Sequence, residues 1–123
     1  MLDENVPVQL RKIFDGHQVR SVNDRSLGWK NISNGRLLAE MEGRFDLLVT
    51  ADRNLYAQQN LFGRQLSILV LPTNRRLDVL TLAARLIEIV ETITLGQYLM
   101  VEKSGEVRAR SFRSPGGEDG VIE

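Results

Sequence analysis

Two aspartates each close a short apolar run: Asp3 follows Met1-Leu2, and Asp52 follows the run Leu47-Leu48-Val49-Thr50-Ala51. If both runs are strands of one parallel sheet, both carboxylates emerge at its carboxyl edge, where open α/β sheets form their useful crevice. Carboxylates gathered there are the donors a hard divalent cation takes. Mg²⁺ accepts oxygen ligands and keeps several waters, and once held it polarises a phosphoryl oxygen and activates water. The plain alternative for either aspartate is a helix cap or a turn residue. Their occurrence together at two strand ends favours a site.

Two carboxylates make a thin cage, so further donors are sought nearby. Glu4 adjoins Asp3, but its side chain leaves the chain in another direction, as a solvated first-turn carboxylate would. At about 100° per residue, Asn34 shares a helical stripe with Leu37, Leu38 and Met41 and so faces the sheet. Glu40 falls at the margin of that stripe. Geometry prefers Asn34, which is also a good N-cap residue, while charge prefers Glu40. Asn54 sits two residues beyond Asp52, and Thr50 offers a hydroxyl on the same side.

Cations near this edge are Arg36, Arg53, Arg75 and Arg76, with Lys30 further off. Such groups hold nucleic-acid phosphates, although any one of them reads equally as solvated surface. Gln58-Gln59-Asn60 is dense in amides for a short helix, able to reach the site or to cap loops. Trp29 is a base-stacking platform, a hydrophobic plug or an anchor for a partner. His17, after a helix-ending glycine, reads as a turn residue rather than a general base.

The 123 residues carry 16 Lys+Arg and 16 Asp+Glu, for a formal net charge of zero. Such a chain is not steered as a whole toward nucleic acid or anionic lipid, so any such binding rests on a local patch. Cysteine is absent, and there is one histidine. This excludes disulfides, thiolate zinc sites, cysteine nucleophiles and two-histidine metal motifs. The acidic start does not resemble a signal peptide, and no apolar run nears the roughly 20 residues of a membrane helix. A cytoplasmic protein with no membrane association is the expectation.

The elements that must position these residues follow from periodicity and punctuation. Pro7 opens a helix carrying Leu10, Ile13 and Phe14, and Gly16 ends it. Gln18 to Val22 reads as a short strand and 23–32 as a loop. A helix from Asn34 ends at Gly43. Asp46 to Ala51 is a buried strand, Leu55 to Leu61 a short helix, and Leu66 to Leu71 the clearest strand, stopped by Pro72. A long helix is predicted from about Arg75 to Leu95, burying Leu80, Ala84, Ile87 and Val90. Tyr98 to Glu102 and Val107 to Phe112 form a final hairpin around Ser104-Gly105. Alternating strands and helices argue an α/β fold with a mainly parallel sheet. One domain over 1–113 is expected, followed by a Pro-Gly-Gly-rich tail, 114–123, expected to be disordered.

Several stretches, in order, resemble the PIN-like family, in the small bacterial branch often encoded beside antitoxin-like genes. They are Leu2-Asp3-Glu4-Asn5-Val6-Pro7, Gly16-His17-Gln18-Val19, Asn34-Gly35-Arg36-Leu37-Leu38, Phe45 to Leu55 with its Thr50-Ala51-Asp52 strand end, and Gln58-Gln59-Asn60-Leu61. The resemblance implies a three-layer α/β/α fold with a central, mainly parallel sheet and a C-terminal hairpin edge. It implies an acidic pocket that takes Mg²⁺ or Mn²⁺ and cleaves RNA, an antitoxin-like protein partner, and pairing into a homodimer. Asp3 and Asp52 match acidic positions of the family and would be the metal ligands. Asn34, Asn54 and Arg36 stand where relatives carry further acidic residues. An amide oxygen still ligates a cation but brings no charge, so the cage should bind metal more weakly.

Two readings follow. In the first the chain is a metal-dependent ribonuclease with Asp3, Asp52, Glu4, Asn34 and Asn54 in the catalytic set, and Arg36, Arg53 and Gln59 holding substrate. In the second it is a catalytically weak or inactive module of the same fold that binds RNA or a protein partner.

Overall fold

The computed structural model describes residues 1–112. The expectation of a disordered tail over 114–123 lies outside the described residues.

The sheet is built from β1 (Leu47–Thr50), β2 (Ser67–Val70), β3 (Gln97–Val101) and β4 (Val107–Ser111), in the spatial order β1-β2-β3-β4. The pairs β1–β2 and β2–β3 are parallel, while β3–β4 is an antiparallel hairpin. Every residue of β2 is buried, Ser67 included, as befits a mainly apolar strand covered on both faces. β4 is the exposed outer edge. On the far side of β1, Leu2 forms single parallel bridges to Val49 and to Ser21.

Side chains alternate across the strands and define two cores. On one face Leu48, Ile68, Val70 and Tyr98 meet Leu37, Leu38 and Met41 of α2 (Asn34–Met41) and Leu55 and Tyr56 of α3 (Leu55–Gln58). On the other, Val49, Leu69, Leu99 and Val101 meet Leu10 of α1 (Leu10–Ile13), Val79 of α4 (Arg76–Leu80) and Leu86 and Ile89 of α5 (Ala83–Thr92). The α/β class is as the sequence suggests: a four-stranded, mostly parallel open sheet with five helices, packed on both of its faces.

Several expectations change: the helix over Leu55 to Leu61 ends at Gln58 and the one opened by Pro7 starts at Leu10, and three further points bear on the site. The strand over Gln18 to Val22 contracts to the single bridge at Ser21. Asp24 takes hydrogen bonds from Arg20 Nε and Ser21 N and donates its own N–H to Ser21 O, so the chain turns instead of extending. The long helix is broken into α4 and α5. Thr81 Oγ1 donates to Asp78 O at 2.6 Å, and Leu82 N reaches Val79 O, three residues back. Both tighten the turn beyond α-helical geometry. The buried stripe is Val79, Leu82, Leu86 and Ile89, whereas Ala84 and Ile87 are exposed and Leu80 and Val90 half-buried. Two apolar stripes overlap on this segment, and the break sets which one meets the sheet.

For Trp29 the structure favours one of the roles left open. The residue is buried, with its ring edge-on to Phe45 at 5.8 Å and the Arg44 guanidinium 5.0 Å above it. It is the plug among the three roles considered and is not presented as a platform for a base.

Candidate functional site

The carboxyl ends of the Leu2 stub and of β1 lie side by side because Asp3 N donates to Val49 O at 2.9 Å. This bond places the Asp3 side chain beside Thr50, the last residue of β1. Thr50 is fully buried, and its hydroxyl does two things: it donates to Asp3 Oδ2 at 2.7 Å and accepts from Asp52 N at 3.0 Å. One hydroxyl thus couples the two aspartates. Asp3 Oδ1 accepts from Glu4 N at 2.8 Å, and Asp52 Oδ1 accepts from Asn54 N at 2.9 Å in an Asx-type turn.

Asn34 completes the arrangement. Ser33, not Asn34, caps α2: its extended backbone lets its Oγ accept from Arg36 N at 3.3 Å. Asn34 is therefore the first helical residue, and its side chain is free to reach Asp52. The contact is Asn34 Nδ2 to Asp52 Oδ2, 2.9 Å. An ionised carboxylate only accepts hydrogen bonds, so the amide nitrogen is the end that must face it. Each of the four aspartate oxygens consequently has a hydrogen-bond donor from the chain itself.

These groups line a polar cleft of about 510 Å³. Asp3, Glu4, Asn34, Thr50 and Asp52 contribute to it, joined by Thr73 and Asn74 from the loop after β2. Glu4 is held at the cleft by Asn31 N, which donates to its Oε1 at 3.3 Å. Asn31 has φ 68°, a left-handed conformation that asparagine tolerates better than most residues. Sequence reasoning passed over Thr73 and Asn74. The carboxyl-edge rule that found Asp3 and Asp52 would have found them too, because they lie just past the carboxyl end of β2 at Val70.

The other candidates lie elsewhere. Asn54 is exposed and outside the cleft lining, and it contributes its backbone N–H to Asp52. Arg53 turns away toward the ends of β2 and β3. Its guanidinium reaches Leu71 O and Val101 O at 3.4 Å and pairs with Glu102 Oε2 at 3.1 Å. Arg36 is exposed on α2 with Nε 3.7 Å from Glu40 Oε2, and Glu40 also lies 3.9 Å from Arg44. Gln59 is half-buried, its Oε1 only 3.2 Å from where a Cβ on Gly35 would sit, so its amide packs against the start of α2. Asn60 Oδ1 caps its own loop by accepting from Phe62 N. Arg75 pairs with Asp78 at 3.6 Å, Arg76 and Lys30 are exposed, and His17 is at the opposite edge of the sheet. Among the described residues, no lysine or arginine lines the cleft.

The cleft offers carboxylate oxygens from Asp3, Glu4 and Asp52, while Asn34 presents its amide nitrogen to Asp52. That chemistry suits Mg²⁺ or Mn²⁺ held by two carboxylates, with water completing the shell. Among the described residues, no group of three or more His, Cys, Asp or Glu side chains is placed to hold a metal ion. Among them too, no helix is long and apolar enough to cross a membrane. Comparison with protein-family models, curated proteins and solved structures gives no match for this chain.

Proposed function

We propose that the chain is a PIN-like protein whose carboxyl-edge cleft is a phosphodiester-hydrolysis site acting on RNA in the cytoplasm. The observation that carries this reading is the coupling of Asp3 to Asp52 through the Thr50 hydroxyl in an open polar cleft. Asp3 and Asp52 would hold Mg²⁺ or Mn²⁺, which when bound supplies Lewis-acid polarisation of a phosphoryl oxygen.

The remaining work falls to the chain. Thr50 fixes the spacing of the two carboxylates. Asn34 holds Asp52 in one rotamer through its amide nitrogen. Glu4, anchored by Asn31, is the carboxylate placed to accept the proton of the attacking water. Oxygen–phosphorus bond formation is matched by cleavage of one P–O ester bond, and the leaving oxygen takes a proton from solvent. With no lysine or arginine among the described residues lining the cleft, the RNA backbone approaches three carboxylates, so substrate binding depends on the metal's charge. A toxin-like role with an antitoxin-like protein as partner, and pairing into a homodimer, belong to the same proposal.

A second reading is favoured by one contact. The Asn34 amide supplies Asp52 with the donor that a cation would otherwise provide, as expected of a module that keeps the fold and binds RNA or a protein partner without cleaving. Titration of Mn²⁺ into the wild type and into the Asp3→Asn/Asp52→Asn double variant, followed by assay on a mixed RNA pool, separates the two. Metal-dependent cleavage lost in the double variant supports the enzyme. Neither metal binding at millimolar concentration nor cleavage would leave the binding module.

A further inference from the structure

The carboxyl edge brings four segments of the chain out side by side. Leu2 bridges Ser21 on one side and Val49 on the other, both in parallel, and β1 pairs in parallel with β2. The order along the edge is therefore the loop after Ser21, then Asp3 and Glu4, then Asp52, then Thr73 and Asn74. The two aspartates sit in the middle, with a loop on either flank.

Each flank carries a cation. The first loop is fastened to Glu4 at both ends: Asn23 Nδ2 donates to Glu4 O at 2.9 Å, and Asn31 N to its carboxylate. Trp29 roots this loop in the core, and the next residue, Lys30, is exposed. On the other flank Arg76 stands two residues past the cleft-lining Asn74, exposed at the start of α4. The other cations within two residues of the lining are committed to carboxylates: Arg36 to Glu40, Arg53 to Glu102 and Arg75 to Asp78. Lys30 and Arg76 form no ion pair among the described residues.

We propose that Lys30 and Arg76 hold the phosphates on either side of the one at the aspartates, so that a single RNA strand crosses the carboxyl edge from flank to flank. This rests on the reading of the cleft as a site for RNA, cleaving or not. The lengths agree. From the Ser21 bridge to β2 is three strand spacings, about 14 Å. A nucleotide repeat has twice the backbone bonds of an amino acid, so two extended repeats also span about 14 Å. A base-paired strand is coiled and spans less. Within the cleft the middle phosphate depends on a metal, while its neighbours are held without one. The contacts are charge to phosphate and Trp29 is buried, so the strand is held by its backbone and not by its bases.

The test is the salt dependence of binding, read by fluorescence anisotropy of a labelled 12-nucleotide single-stranded RNA in EDTA, where no metal-dependent cleavage occurs. Each phosphate contact on a single strand adds about 0.7 to the slope of log affinity against log salt. Lys30→Gln and Arg76→Gln should each lower the slope by about 0.7, and the double variant by about 1.4. Lys12→Gln, which removes an exposed charge from α1, should leave it unchanged. A wild type that binds no RNA, slopes unmoved by either flank substitution, or an equal fall in Lys12→Gln overturns the proposal. Expected slopes without any cleavage in Mn²⁺ support the strand path and sink hydrolysis alone. Cleavage in Mn²⁺ with unmoved slopes overturns the path and leaves hydrolysis standing.

Discussion

Asn34 Nδ2 donates to Asp52 Oδ2 at 2.9 Å, joining the first residue of α2 to the residue just past β1 across 18 positions of sequence. The amide is an uncharged donor at a cleft whose carboxylates are Asp3, Glu4 and Asp52. It satisfies Asp52 without charge, so the cleft is settled before any cation arrives. The first prediction concerns this contact.

Asn34→Asp sets two carboxylates against one another and removes the donor to Asp52. Like charges at this distance disfavour joint ionisation. The metal-free variant should lose about 1–2 kcal/mol at pH 7, with a fall in Tm of about 4 °C per kcal/mol for a chain of this length. Millimolar Mn²⁺ should return most of the loss and raise the wild type little. Thermal melts with and without Mn²⁺ read this directly, and equal melts for both proteins in both conditions would refute it.

Thr50→Val keeps the shape of a fully buried residue but deletes the hydroxyl that couples Asp3 to Asp52. Asp52 N loses its acceptor, and Asp3 Oδ2 loses its donor. Stranding partly buried polar groups costs about 1–3 kcal/mol. The urea midpoint should fall accordingly, and any metal-dependent activity should fall with it. Thr50→Ser, which retains the hydroxyl, should recover most of both.

Asp24 ties acid sensitivity to the N-terminal half through its ion pairs with Arg11 and Arg20. Side-chain hydrogen bonds from Arg11 and Arg20 hold its pKa at about 2, against an ordinary value of 3.8. A depressed carboxylate pKa stabilises the fold fully above the ordinary value, and that stabilisation is lost as pH falls through the folded value. The contribution should therefore be intact at pH 6 and fade between about pH 4 and pH 2. Urea midpoints of the wild type and Asp24→Asn should differ at pH 6 and converge near pH 2. A constant difference would mean that the aspartate acts through packing alone.

The single Trp29 is buried beside Phe45. Its emission should be blue-shifted in the folded protein and unchanged by saturating RNA. Quenching on RNA addition would return it to the role of a stacking platform. Trp29→Ala should cost about 3–5 kcal/mol, measured as a collapse of the urea midpoint.

Much of the fold was legible because it depends on short-range pattern. The run Leu66 to Leu71 marks β2 as buried on both faces, Pro72 ends it, and the Ser104-Gly105 turn announces the β3–β4 hairpin. Asp3 and Asp52 could be brought together on paper because both follow apolar runs, and parallel strands put such residues at one edge. What stayed hidden was decided by competition between neighbours. Ser33 outcompetes Asn34 as the cap, Thr81 breaks a helix whose periodicity continues, and Asp24 bends a segment with strand composition.

By itself, then, the sequence determined the α/β class, the carboxyl-edge location of the cleft and its two aspartates, since these rest on periodicities of two and 3.6 residues. Only the tertiary structure decided what each polar side chain does there. Asn34 turned its nitrogen to Asp52, Thr50 bridged to Asp3, 47 positions away, and Arg53 swung to Glu102, 49 positions away. A side chain's direction depends on which partners the fold delivers from distant sequence, and no local pattern carries that information.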